Sequence, residues 1–325
     1  VREMALKSAL ANKASSEYAA SLEYTDTELE EHYQSLDGAQ DKFSFSYYLV
    51  NAEKVESTDA DGNTSSAVTE ETTAAAKDAA DDILTAYTAL KQSNPDDDNY
   101  AAMLNSAVTQ VAPTAEATER SNITGGNLGD YKEWLMASGR KAGDATVVDK
   151  ADGSGSYVVV FLDRSDNHYP VAQVRHILIK AVADSDGSYT DKAKEIAKNR
   201  AEEILAEFNA GDKTEDSFAE LAKDYSEDTG SAENGGLYDT VYKGATVEEF
   251  DKFCFEGHKK GDTAIVYGES SSYAGYHVMY YVGEGDLYSN LLAKNDLVNT
   301  TVSQWVEDQV NALTVTNGWW LRIAG

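Results

Sequence analysis

The sequence predicts an α+β protein in which two similar units follow one another between helical ends. Apolar segments rich in β-branched and aromatic residues lie near 174–179 and 275–282, and helical patterns occur between them. A weaker copy of the same succession occupies residues 42–166. Helical patterns lie before the first copy and after the second. Each unit is therefore expected to form an antiparallel sheet with covering helices.

The succession of patterns divides the chain into four expected segments. They are an N-terminal helical arm at 1–41, a degenerate unit at 42–167, a complete unit at 168–284 and a C-terminal helical arm at 285–325. Because the ends of compact domains commonly lie close together, we expect the two arms to pack as one discontinuous domain.

The arms carry helical signals of their own. Thr25-Asp26-Thr27-Glu28 has the spacing of a capping box. An apolar stripe at helical spacing is expected to lie on one face of the C-terminal arm. Its members are Leu287, Leu291, Val298, Val302, Trp305 and Leu313.

Charge excludes some classes of partner. The 325 residues include 57 acidic and 27 basic side chains, which give a net charge of −30. Binding to nucleic acid or to anionic lipid depends on Lys and Arg, so neither is expected as a partner. The simplest interpretation is that the acidic side chains keep the protein surface soluble, and it is sufficient to explain the excess of carboxylates.

The sequence contains few signals that indicate a cellular compartment. The single cysteine, Cys254, precludes an internal disulfide and is expected to be a buried thiol. No apolar run approaches the ~20 residues of a membrane span. Because the sequence begins at Val1 rather than methionine, we expect that a preceding segment was removed, and a lipid anchor upstream stays open.

The complete unit has a definite predicted order: a strand, two helices, a loop, a helix and two strands. The helices are expected at about 190–209, 215–224 and 247–256. The loop between the second and third helices is acidic and rich in glycine.

Short motifs mark this unit in a fixed order. They are Val174-Arg175-His176-Ile177-Leu178, Phe218-Ala219-Glu220-Leu221-Ala222, Tyr225-Ser226-Glu227-Asp228, Asn234-Gly235-Gly236, Phe250 to Phe255, Gly261-Asp262 and Gly275-Tyr276-His277. No one motif is specific, but the ordered set resembles the parvulin-type peptidyl-prolyl isomerases over about a third of the chain.

This resemblance implies roles for individual residues. His176 and His277 are expected to form a hydrogen-bonded pair on neighbouring strands, with Asp228 near the substrate carbonyl, as the catalytic group. Phe250, Thr246, Tyr238 and Phe255 are expected to bind the substrate. No cofactor and no metal are expected, since the sequence contains no HxxxH or HxH pair.

Each of these residues also has a structural interpretation, which stays open. The histidines are compatible with a satisfied pair in a core, Asp228 with a turn acid before Gly230, and Phe250 with ordinary packing. Thr246 stands where the family often has methionine, and Thr246-Val247-Glu248-Glu249 has capping-box spacing.

Two further departures from the family concern aromatic residues. The aromatic residue expected near Val241 is missing, and Tyr238 or Tyr242 is the expected substitute. In the degenerate copy, Tyr47 and Tyr157 take the places of the two histidines. Its segment Val108–Pro113, which parallels Tyr225–Asp228, has no carboxylate. The first unit is therefore expected to keep the fold and lack the catalytic cluster.

The overall plan resembles PrsA-type foldase lipoproteins and SurA-type chaperones. It implies an extracytoplasmic foldase, secreted or anchored at the cell surface, that isomerises X–Pro bonds in unfolded or newly exported polypeptides. The alternative is a non-catalytic holdase that keeps the parvulin fold as a scaffold. A groove within one chain and an exchange of arms in a homodimer both stay open.

Overall fold

The computed structural model describes residues 2–59 and 61–312, with backbone only for the first few. The chain folds into two compact units. One combines the chain up to Asn167 with the segment that begins at Leu292, and the other runs from His168 to Leu291. Within the described ranges, no helix is both long and apolar enough to cross a bilayer.

Helices of the two arms contact each other. The N-terminal arm contains α1 (Arg2–Ala20) and α2 (Asp26–Ser35), and the capping box predicted at Thr25 and Glu28 starts α2. α9 (Tyr288–Ala312) supplies the other arm. Ala293 packs with Leu29 and Tyr33 in a small core.

Polar and aromatic contacts extend this packing. His32 Nε2 lies 2.7 Å from Asp296 Oδ2, and the rings of Tyr18 and Trp305 stack at 4.8 Å. Two expected stripe residues differ: Leu287 ends a strand and is 37% exposed, and Leu313 lies outside the described residues.

The first sheet has the strand order β4-β1-β6-β5 and is antiparallel throughout. Its strands are β1 (Lys42–Asn51), β4 (Thr118–Thr124), β5 (Ala145–Asp149) and β6 (Gly155–Ser165). α3 (Glu70–Ser93) and α4 (Tyr100–Val111) cover one face, and α5 (Lys132–Met136) packs on the other. A hairpin of β2 (Val55–Thr58) and β3 (Thr64–Ala67) follows β1.

The second sheet has the strand order β8-β7-β10-β9 and is also antiparallel. Its strands are β7 (Pro170–Lys180), β8 (Leu237–Val241), β9 (Thr263–Glu269) and β10 (Ala274–Leu287). Its helices are α6 (Asp191–Ala210), α7 (Glu215–Tyr225) and α8 (Glu248–Phe255). The helices lie within a residue or so of the expected positions, but β8 was predicted as part of a loop.

Alternation along the strands separates two faces of this sheet. Ile177, Ile179 and Val278 point to α6 and α7 and form a core with Ile204 and Phe218. The opposite face packs against α8. It carries a second core around Val174, Met279, Phe250 and Phe253, and both histidines of the motif lie on this face.

The two sheets correspond in connection and register. In chain order, β1, β4, β5 and β6 take the places of β7, β8, β9 and β10. Tyr157 pairs with Leu49 as His277 pairs with Leu178. The turns before β5 and β9 also share a pattern, because Lys141 and Lys259 each donate a backbone N–H to the carboxylate of the aspartate three residues on.

Candidate active site

Two histidines on adjacent strands form the base of the site. His176 lies opposite Met279 and His277 opposite Leu178, so the histidines are diagonal neighbours on one face of the sheet. Their Nδ1 atoms are 3.1 Å apart, and the side chains are 2% and 4% exposed. A buried imidazole needs partners for both ring nitrogens, and this contact satisfies one nitrogen of each ring.

The loop after α7 completes the edge of β7. Because β8 pairs only with residues 172–175, the rest of this edge lacks a neighbouring strand. Ser226 Oγ accepts the backbone N–H of Leu178 at 3.1 Å, and Glu227 N–H donates to the Leu178 carbonyl at 2.8 Å. These bonds anchor the loop against the strand and place Asp228 beside His176.

Asp228 accepts hydrogen bonds from three side chains at one carboxylate oxygen. Its Oδ2 lies 2.9 Å from His176 Nε2, 2.5 Å from Ser231 Oγ and 3.1 Å from the Tyr238 hydroxyl. Gly230 N–H donates to Oδ1. The hydrogen bond from His176 is the largest cause that holds the pKa of Asp228 well below its usual range, although burial opposes it. Asp228 is therefore a carboxylate.

His277 is held neutral. Burial, with His176 as a further cause, lowers its pKa to about 3. Its Nε2 lies 3.0 Å from the hydroxyl of Tyr273. The pair of histidines thus continues into hydrogen-bonding groups at both ends, Asp228 at one and Tyr273 at the other.

An open pocket of about 340 Å³ adjoins this network. Phe250 packs edge-on against both histidines, with centroid distances of 5.4 and 5.2 Å, and is 2% exposed. The pocket walls combine apolar surface with polar groups of the network. The lining residues are His176, Tyr238, Ala245, Thr246, Val247, Phe250, Tyr273 and His277.

Thr246 lies in the pocket wall and does not cap the helix. Val247 is the N-cap of α8 and makes no side-chain cap bond, so the capping box expected from the spacing does not form. The Thr246 hydroxyl is buried and has no hydrogen-bond partner among the described residues.

Of the residues expected in the site, the structure leaves Phe255 outside this pocket. Phe255 packs edge-on against Tyr169 at 5.7 Å. Five residues along a helix turn a side chain by about 140°, so Phe250 and Phe255 face different directions. Tyr242 also lies elsewhere and stacks on Tyr288 at 4.6 Å, whereas Tyr238 is in the pocket.

Ser231 and Tyr273 were missed by the sequence reasoning. Ser231 is 2% exposed and contacts both Asp228 and His176. It lies three residues after Asp228, a weak signal of an Asp-containing turn. Tyr273 lies four residues before His277 in the turn between β9 and β10, and no spacing rule relates the two.

The corresponding place in the first sheet is aromatic. The rings of Tyr47 and Tyr157 are 5.8 Å apart, and Tyr131 contacts them at 5.7 and 5.3 Å. α4 ends at Val111, in the segment Val108–Pro113 that parallels the Asp228 motif and lacks a carboxylate. In the part of the chain that the structure describes, no group of three or more His, Cys, Asp or Glu side chains could hold a metal ion.

Comparison with known proteins identifies the second unit. Residues 158–281 match the family model of the PPIC-type PPIase domain. This part of the chain is thus similar in sequence to parvulin-type peptidyl-prolyl isomerase domains and to the PrsA foldases.

Two named relatives and two solved structures show the extent of the similarity. Foldase protein PrsA 3 of Bacillus anthracis is 29% identical over 159 residues, 46% of this chain and 48% of that protein. Foldase protein PrsA of Staphylococcus aureus strain Newman is 36% identical over 139 residues, 43% of this chain and 40% of that protein. The match therefore spans about half the length of these relatives, or less.

Among solved structures, the peptidylprolyl isomerase PrsA from Bacillus anthracis aligns with 23% identity and a TM-score of 0.28. That alignment covers 47% of this chain and 64% of the other. A structure reported for the SurA-like chaperones PEB4 and Cj1289 of Campylobacter jejuni aligns with 23% identity and a TM-score of 0.26, over 46% and 57% of the two chains.

Proposed function

We propose that residues 168–284 catalyse cis–trans isomerisation of X–Pro bonds in unfolded, exported polypeptides, as part of an extracytoplasmic foldase with chaperone character. One observation carries this proposal. An ionised carboxylate, Asp228, and a buried histidine pair are fixed beside an apolar pocket large enough for a proline ring. The names of the relatives, foldases, support the same assignment.

The reaction needs selective binding of a twisted amide. Rotation about an X–Pro bond crosses a barrier of roughly 18–20 kcal/mol, because the amide loses its resonance at the twisted state. No bond is broken, so no nucleophile is required. A site that binds the twisted form more tightly than either planar form lowers this barrier.

The pocket residues divide this task. Phe250, Tyr238 and Val247 hold the pyrrolidine ring against apolar surface, and Thr246 lies beside Val247 in the pocket wall. The carboxylate of Asp228 faces the carbonyl of the residue before proline. A planar amide has the more negative carbonyl oxygen, so repulsion from Asp228 destabilises the planar forms more than the twisted one.

The arrangement of the whole chain supports a foldase with two tandem units. We propose the boundaries 42–167 and 168–284 for these units, supported by their corresponding strand order and register. The arms 1–41 and 285–325 form one helical domain in this proposal, supported by the contact between α2 and α9.

The alternative function is a holdase without catalysis. The cluster of Tyr47, Tyr131 and Tyr157 favours it for the first unit, which has aromatic surface where the second has histidines and a carboxylate partner. Tyrosine provides adaptable contacts at a low entropic cost. Binding in this case does not depend on Asp228.

A single variant separates the two functions. With Asp228→Ala, we expect the full chain to lose acceleration of a refolding reaction limited by proline isomerisation, by at least about tenfold, because removal of a positioned charged group typically costs this much or more. Suppression of client aggregation should be unchanged. Asp239→Ala removes an exposed carboxylate from β8 and is the matched control, expected to behave as wild type.

The two readouts decide between the proposals. If wild type does not change the refolding rate, catalysis is excluded and the holdase remains. If Asp228→Ala refolds the client as fast as wild type, the assignment of the site is wrong.

A further inference from the structure

Tyr273 extends the network of the proposed active site beyond the two histidines. It lies in the turn between β9 and β10, is half-buried and lines the pocket. Its hydroxyl is 3.0 Å from His277 Nε2. Burial raises the pKa of Tyr273, so the phenol keeps its proton and is able to donate it.

Counting protons along the network gives the direction of each bond. The carboxylate of Asp228 only accepts, so the 2.9 Å contact requires a proton on His176 Nε2. When this is the one proton on its ring, His176 presents a lone pair at Nδ1. The 3.1 Å contact between the Nδ1 atoms therefore requires that His277 Nδ1 carry a proton. A neutral His277 with a proton at Nδ1 has a lone pair at Nε2, which faces the Tyr273 hydroxyl.

We propose that Tyr273 is a positioning residue that holds His277 in the Nδ1–H tautomer by donating its phenolic hydrogen to Nε2. Every hydrogen bond then runs in one direction, from Tyr273 through His277 and His176 to Asp228. Hydrogen bonds in such a chain polarise one another and strengthen the bond to the carboxylate. This role rests on the proposed isomerase function, but the tautomer itself does not.

Gly268, which lies beside the contact of Tyr273 with His277, supports the proposed role of Tyr273. A Cβ atom built on Gly268 of β9 would lie 2.7 Å from His277 Nε2 and 2.9 Å from the Tyr273 hydroxyl. Both distances are shorter than van der Waals contact, so any larger residue at this position would displace the ring or the phenol. The absence of a side chain at Gly268 thus leaves room for the hydrogen bond between Tyr273 and His277.

The test reads the tautomer directly. In the full chain with ¹⁵N-labelled histidine, NMR of the ring nitrogens should show His277 protonated at Nδ1 and unprotonated at Nε2. In Tyr273→Phe, His277 should become a mixture of tautomers, and kcat/KM for an X–Pro peptide should fall about three- to tenfold through kcat, the effect of one lost neutral hydrogen bond.

Two further variants complete the design. Gly268→Ala keeps the phenol but displaces it, and should mix the tautomers as Tyr273→Phe does. Tyr267→Phe removes a phenol of β9 that contacts Glu269 outside the pocket, and should leave the His277 spectrum unchanged.

The outcomes separate this proposal from the proposed function. A proton on His277 Nε2 in wild type, or an unchanged tautomer in Tyr273→Phe, overturns the role of Tyr273 even if the protein is an active isomerase. If Tyr273→Phe shifts the tautomer as expected but the wild-type chain has no isomerase activity, the role of Tyr273 is supported and the proposed function is wrong.

Discussion

At the residue scale, burial and hydrogen bonding set opposite preferences for protons at the two ends of the histidine pair. Asp228 is kept as a carboxylate chiefly by the hydrogen bond from His176, with Ser231 as a further donor, and His277 is kept neutral because a buried imidazolium would be poorly solvated. The pocket therefore contains one negative charge and no positive charge from His277. This is the charge distribution that the repulsion of a planar amide requires.

The neutral state of His277 makes the second unit less stable in acid. Its pKa is about 3 in the folded unit and 6.5 as the ordinary value, so the unfolded chain binds more protons between these limits. Stability contributed by this group is complete above about pH 6.5 and is lost as the pH falls. The slope approaches about 1.4 kcal/mol per pH unit.

Hydrogen exchange of β7 and β10 amides between pH 5 and 6.5, corrected for intrinsic rates, measures this slope in the full chain. Wild type should lose protection as the pH falls, and His277→Gln should show a smaller loss. Thr263→Ser, a conservative change in β9 that adds or removes no titratable group, should keep the wild-type slope. Equal slopes in wild type and His277→Gln would contradict a neutral buried His277.

Sequence reasoning identified the residues whose motifs are short and ordered. It selected His176, His277, Asp228 and Phe250, and the structure brings these four together. Ser231 and Tyr273 were not selected, because they reach the site through a turn and a hairpin whose geometry is not evident from residue spacing. Phe255 was selected from the same helix as Phe250 without regard to the direction of its side chain.

At the element scale, the loop that bears Asp228 depends on glycine. Gly235 and Gly236 have φ values of +67° and +70°, which L side chains rarely adopt. The Gly236 carbonyl accepts the His176 N–H at 2.9 Å, and a Cβ on Gly236 would lie 2.1 Å from the His176 carbonyl oxygen. The loop can therefore approach β7 this closely only with glycine at 236.

Gly236→Ala should move the loop away from β7. We expect a loss of about 2–3 kcal/mol in stability and at least a tenfold loss of kcat/KM, since Asp228 would no longer meet His176. Thermal unfolding and peptide isomerisation measure the two effects. Gly257→Ala is the control: φ is +82° there, but nothing lies within 4 Å of a new Cβ.

Comparison of the two alanine variants separates the effect of backbone strain at a positive φ from the effect of the steric clash with the His176 carbonyl. The control should lose only the roughly 1 kcal/mol of an unfavourable φ and keep its activity. Equal losses in the two variants would show that the close approach to His176 is unimportant.

Elements with strong periodicity were predicted well, and short edge strands were not. The three helices of the second unit have apolar spacing over two to five turns, which the sequence makes evident. β8 is five residues long, includes Asp239 and Thr240, and follows two glycines, so its composition is typical of a turn. Its strand character comes from pairing with β7, a tertiary contact.

At the scale of the whole molecule, one chain contains two four-stranded sheets that share a strand order and differ in chemistry. The turns Lys141–Asp144 and Lys259–Asp262 form the same hydrogen bonds, whereas the histidines and the carboxylate loop occur in the second unit. The sequence predicts a repeat because core and turn residues recur at similar spacing, and the shared strand order supports that prediction. The strand β10 continues to Leu287, with a shift of register between Tyr281 and Gly283.

The measurement that tests the central claim most directly is cis-to-trans conversion of short X–Pro peptides by the full chain, with several residues before proline. Peptides remove client binding from the comparison. We expect catalysis by wild type and by His258→Ala, and loss of at least about tenfold in His176→Ala, which breaks both contacts of the network at its centre. Catalysis that persists in His176→Ala, or no catalysis of any peptide by wild type, would contradict the account.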